Sequence, residues 1–103
     1  MTDRYVLSSA AEADLRDIAR YTRKQWGDTP TRKYMAKLKR GIEHVAGGHG
    51  IFKDMSALYP GLRMVRCEHH YIFCLPRVEA PALIIALFHE RMDLMTRLAD
   101  RMK

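Results

Sequence analysis

Three residues that could move protons or hold a phosphate follow directly on the apolar run ALIIALF, Ala82 to Phe88: His89, Glu90 and Arg91. Four more lie in GLRMVRCEHHY, residues 61–71, as Arg63, Arg66, His69 and His70. Together these types could cleave an RNA backbone. That reaction needs a base for the ribose 2′-hydroxyl, a proton donor for the leaving oxygen and cations around the phosphate. Arg63 and His89 both fall near the ends of expected strands, where they could converge. A second reading of the same residues is structural. Arg91 then pairs with Glu90, Asp93 or Glu68 and pins a corner, His70 caps a turn, and Arg63 and Arg66 are solvated. Cys67 and Cys74 form no C-x-x-C pair, so a structural zinc site is not expected, and neither is a disulfide in a reducing compartment.

The elements that must position these residues read clearly. Residues 4–8, RYVLS, are rich in β-formers and predict a short strand. Ser9 and Glu12 have the spacing of a capping box, opening a helix with Ala11, Leu15, Ile18 and Thr22 on one stripe and Asp14, Asp17 and Arg20 on other faces. Trp26-Gly27 ends it. Thr29 and Pro30 suit the start of a second helix, with Tyr34, Leu38, Ile42 and Val45 at helical steps and Gly47-Gly48 as its stop. So short a connection predicts an antiparallel helical hairpin. Residues 49–60 read as irregular. Beyond them the period falls to two: Leu62, Met64 and Arg66 alternate with Arg63, Val65 and Cys67.

A two-residue turn at Glu68-His69 then sets Arg66 opposite Tyr71 and Met64 opposite Phe73. Ala82 to Phe88 is apolar on both sides, as a doubly covered strand is. Asp93 can cap a last short helix carrying Met95, Leu98 and Met102. His89 and Arg91 are expected on one side of the strand end and Glu90 on the other. The fold class is α+β: an N-terminal strand and a helical hairpin packed on a small antiparallel sheet, with a short C-terminal helix. The 103 residues fit one domain, 1–103.

Lys and Arg number 18 against 12 Asp and Glu, a net charge of +6, which suits nucleic acid or an acidic protein partner. No apolar run reaches the ~18 residues of a membrane span, and no secretion signal is visible, so a soluble, cytoplasmic protein is expected.

Several stretches carry a family resemblance in their order and spacing. They are YVLSSAAEADLRDIARYT (residues 5–22), Trp26-Gly27, the Tyr34 helix, YPGLR (59–63), EHHYIF (68–73) and LFHERMD (87–93). The chain resembles the ParE toxins of the RelE/ParE toxin–antitoxin superfamily. The resemblance implies a toxin that docks on DNA gyrase and blocks replication, with no chemistry and no cofactor or metal of its own. It also implies a cognate ParD-type antitoxin that lays a disordered, amphipathic segment over the toxin in a hetero-oligomer. On this reading His89, Arg91, Met92 and Arg63 meet the target, while Tyr21, Trp26, Tyr34, Leu38, Val65 and Ile72 meet the antitoxin. Two alternatives stay open. RelE-like cousins cut messenger RNA on the ribosome, and a toxin fold that has lost its activity would bind only its antitoxin.

Overall fold

Alternating residues in the C-terminal half build a sheet, and two long amphipathic helices cover it. The computed structural model describes residues 5–48 and 50–103. In chain order the elements are β1 (Tyr5–Leu7), α1 (Ser9–Trp26), α2 (Asp28–Gly47), β2 (Lys53–Asp54), β3 (Arg63–Cys67), β4 (His70–Leu75), β5 (Ala82–His89) and α3 (Leu94–Arg101). The sheet order is β1-β5-β4-β3-β2. Three pairings are antiparallel, but β1 lies parallel to β5, so the sheet is mixed rather than purely antiparallel. Parallel neighbours need a long crossover, and here everything from α1 to β4 supplies it.

The helical hairpin packs on one face of the sheet. Ala11, Ile18, Leu38, Ile42 and Val45 bury there against Ile72, Cys74, Ile84 and Leu87. The opposite face gathers Met55, Leu62, Phe73, Ile85 and Phe88 under Leu98 of α3. Covering β5 on both sides explains its continuous apolar run. The hairpin register is the expected one, with Arg66 paired to Tyr71 and Met64 to Phe73. Cys67 pairs with His70, far along the hairpin from Cys74, and both thiols are free.

Three local readings shift. Ser8, not Ser9, caps α1: its backbone is extended and its hydroxyl accepts from the Ala11 N–H at 3.0 Å. The second helix begins at Asp28, because Gly27 alone turns the hairpin. With φ at +88°, Gly27 donates its N–H to the Arg23 carbonyl, while its own carbonyl accepts from the Thr31 hydroxyl at 2.7 Å. A side chain is strained in that backbone conformation. Finally, Lys53 and Asp54 form the short edge strand β2 inside the stretch read as irregular; two charged residues carry no alternation to read.

The short β1 has a structural consequence. It pairs with Ala82, Leu83 and Ile84, so the later half of β5, though laddered to β4 on its other side, has no described strand on the β1 side. Side chains take the strand's place. The Asp14 carboxylate accepts from the Leu87 N–H at 2.9 Å, and Arg101 of α3 donates to the Ile85 carbonyl at 2.9 Å. Arg101 and Asp14 also bind each other through two hydrogen bonds of 2.9 and 3.1 Å, and the guanidinium lies over the Phe88 ring. Removing one partner leaves the other charge partly buried and alone. Arg101→Ala should therefore lower the unfolding free energy by about 2–3 kcal/mol in urea titrations, and Asp14→Ala by a similar amount. The double variant should lose clearly less than the sum, since both changes break one unit.

Candidate docking groove

Asp14 fixes α1 against β5, and one turn further on the same helix face carries Asp17, Ile18 and Tyr21. These residues form one wall of a groove of about 760 Å³. Trp26 and Pro30 close its upper end where the two helices meet, and Tyr34 of α2 lies deeper. The opposite wall comes from the β3–β4 turn (His69, His70) and the end of β5 (His89 to Met92). Large apolar surface is left bare here: Trp26 is 70% exposed, Tyr21 64% and Met92 41%.

The polar end of the groove is a connected lattice. The Tyr34 hydroxyl accepts from the His69 backbone N–H at 3.1 Å, which leaves its own proton to donate to His70 Nδ1 at 2.6 Å. Burial raises the Tyr34 pKa, so the phenol stays protonated. His70 is buried, and burial, followed by the neighbouring His89 and His69, lowers its pKa to about 4. It is therefore neutral near pH 7, with its proton on Nε2. Its ring meets His89 edge-on at 5.2 Å, and His69 stacks over His89 at 6.5 Å.

His89 Nδ1 accepts from the Arg91 backbone N–H at 3.1 Å. Glu90 bonds His69 Nδ1 at 2.9 Å and pairs with Arg66. The His69 hydrogen bond first, and Arg66 further, hold its carboxyl below the usual range. Arg91 makes no ion pair among the described residues. Nor does any group of three or more side chains suited to a metal ion gather among them.

The fold brings together Tyr21, Trp26, Tyr34, His89, Arg91 and Met92, which the sequence had divided between two surfaces. It does not bring in Arg63. That residue sits at the far end of β3, about 13 Å along the strand from the His70–His89 pair. There it donates to the Val45 carbonyl at 3.0 Å and covers the Phe52 ring, tying down the end of α2. Leu38 and Ile72 are 0% exposed; they are core beneath α2, not docking surface. Val65 is half-buried against the same core. Glu90 does not point away from His89 as strand alternation implied. The strand ends at His89, and the Glu90 N–H bonds the His69 carbonyl at 2.9 Å, so its side chain turns into the groove. The His69–Glu90 contact escaped the sequence reading because it depends on the β4–β5 register, which sets His70 opposite His89.

A family model described as the ParE toxin of type II toxin–antitoxin system, parDE, matches residues 5–94. Toxin ParE of Escherichia coli is 65% identical over 99 residues, covering 96% of each chain. Toxin ParE1 of Mycobacterium tuberculosis is 30% identical over 93 residues, covering 90% of this chain and 95% of that one. A chain from the solved chromosomal ParDE TA system from P. aeruginosa has the same fold, with a TM-score of 0.69 at 14% identity, covering 85% of this chain and 96% of that one.

The buried His70 makes stability depend on pH. Its pKa falls from 6.5 to about 4 on folding, so the unfolded chain binds more protons between those values. Stability from this group is complete above pH 6.5 and is lost as pH falls toward 4. Urea unfolding should show about 2 kcal/mol less stability at pH 5 than at pH 7. In His70→Asn, whose side-chain oxygen can still accept from Tyr34, most of that difference should vanish.

Proposed function

This chain belongs to the ParE toxin family of type II toxin–antitoxin systems, and we propose that it acts in the cytoplasm by docking on DNA gyrase and trapping it on cleaved DNA. A toxin of such a system has an antitoxin partner, which we take to be of the ParD type. The observation that carries the docking reading is the groove itself. Its walls leave Tyr21, Trp26 and Met92 open to solvent, and Arg91 stands at its edge without an acidic partner among the described residues. Exposed aromatics beside an unpaired arginine are the residues that most often anchor protein–protein contacts.

The converging imidazoles favour one second reading, a ribosome-dependent ribonuclease. Against it, the groups that would do the chemistry are already engaged. His70 is buried and neutral with Nδ1 bonded to Tyr34, His89 Nδ1 is bonded to a backbone N–H, and Glu90 holds both His69 and Arg66. General acid–base work needs groups free to exchange protons with a substrate, and the phosphate needs several cations around it, whereas the groove lining holds a single guanidinium, Arg91.

Purified protein incubated with gyrase and supercoiled plasmid should give linear plasmid after denaturation, and no cut messenger in a parallel incubation with programmed ribosomes. Cut messenger would establish the ribonuclease instead, and silence in both would leave only antitoxin binding. Arg91→Ala and His89→Ala should each lower gyrase poisoning about tenfold or more while the circular dichroism spectrum is unchanged. Undiminished poisoning by both folded variants would remove this corner from the working surface.

A further inference from the structure

The net charge of +6 is not spread evenly, and the groove holds little of it. On the outer surface of α2, Lys33, Lys37, Arg40 and His44 are exposed at intervals of four, three and four residues. That spacing sets them on one stripe of the helix, about 16 Å long at ~1.5 Å per residue. Like charges at such intervals repel, so a merely solvated helix gains by interspersing acids. The first helix does so: Arg20 pairs with Asp17 at 2.9 Å, and Arg23 with Asp28 at 3.1 Å. On the α2 stripe, Lys33 and Arg40 form no ion pair among the described residues. Lys37 meets Glu68 at 3.8 Å, and an exposed pair that long contributes little. Burial and then Glu43 raise the Tyr5 pKa, which places that acid of α2 on the β1 side of the helix, away from the stripe.

The stripe has a firm seat. Gly41 lets α2 lie flush on the sheet: a Cβ there would come within 3.0 Å of Ile72 Cδ1 and 3.1 Å of Cys67 Sγ. The Cys67 thiol donates to the Lys37 carbonyl at 3.3 Å. What the stripe lacks points to its partner. None of the large exposed apolar side chains among the described residues belongs to α2, whereas protein partners are anchored by aromatics and arginine, with lysine depleted. Without an aromatic the stripe offers no platform for unstacked bases, and α2 has no Asn or Gln to read base edges. Two lysines and an arginine on a rigid ridge suit the phosphates of a duplex, whose backbone asks for cations and nothing else. We propose that this stripe of α2 binds the backbone of duplex DNA without regard to sequence. The choice of DNA rests on the reading of the chain as a toxin acting at gyrase, where a duplex is at hand. The ridge itself is tested without the enzyme, so the two can fail separately.

The test is fluorescence anisotropy of a labelled duplex of arbitrary sequence, about 21 base pairs or two turns, titrated with the full chain and no other protein. Binding should be measurable at low salt and weaken as salt rises, with log K falling against log salt at a slope of about −3 for three cations. Lys33→Ala and Arg40→Ala should each bring that slope about one closer to zero, and the triple variant Lys33→Ala/Lys37→Ala/Arg40→Ala should bind at least about tenfold more weakly. All three side chains are exposed and alanine favours helix, so the triple variant should keep its circular dichroism spectrum. Arg16→Ala/Lys24→Ala/Arg97→Ala removes the same charge from exposed sites on the other two helices and should leave the slope unchanged. Equal losses in the two triple variants would show net charge alone at work and overturn the proposal, as would no binding at low salt. Tighter binding to the single strand, to duplex RNA or to polyglutamate than to duplex DNA would overturn the choice of partner.

Discussion

One carboxylate takes over the work of a missing strand. Because β1 stops after three residues, the backbone of β5 beyond Ile84 would present open donors and acceptors, and an open edge invites pairing with other chains. Asp14 takes the Leu87 N–H and grips Arg101, which takes the Ile85 carbonyl. The arrangement satisfies the edge and also joins α1, β5 and α3, three elements from opposite faces of the sheet. The groove begins one turn further along α1, at Asp17, Ile18 and Tyr21.

A second strut closes the groove's floor. The Tyr34 hydroxyl ties α2 to the β3–β4 turn by accepting from His69 and donating to His70. Of the histidines that looked like an acid–base set, each has its Nδ1 engaged within the fold: His70 with Tyr34, His69 with Glu90 and His89 with the Arg91 N–H. Burial keeps His70 neutral, and Glu90 draws His69 and Arg66 together. What the lattice leaves for a partner is therefore narrow: the faces of Trp26 and Tyr21, the Met92 side chain and the Arg91 charge. A surface of this kind selects by shape and by the placement of one acid, which suits recognition better than bond breaking.

Much of the fold was legible because it rests on local rules. The two-residue turn at Glu68-His69 set the hairpin register, Asp93 caps α3 through the Thr96 N–H, and Gly48 closes α2 in the left-handed conformation. The candidate site was less legible, because it depends on contacts distant in sequence. Asp14 read as a polar residue off the apolar stripe; nothing local says that it faces the open edge of a strand 73 residues away. Leu38 and Ile72 share their apolar character with docking residues, and only the packing of α2 on the sheet shows them to be core. Arg63 and His89 both stand near strand ends, but β3 and β5 run in the same direction on either side of β4, so the start of one and the end of the other lie at opposite ends of the sheet. Glu90 followed strand alternation on paper, yet the alternation ends one residue earlier.

If the groove between α1 and the end of β5 is the surface through which this toxin meets its target, bound gyrase must cover it. Hydrogen–deuterium exchange of the chain, alone and saturated with gyrase, addresses it most directly. New protection is expected in two separated stretches, Tyr21 to Trp26 and His89 to Met92, with little change across β2 and the start of β3. Protection confined to the opposite face, around Met64, Tyr71 and Met95, with the groove exchanging as in the free chain, would contradict it.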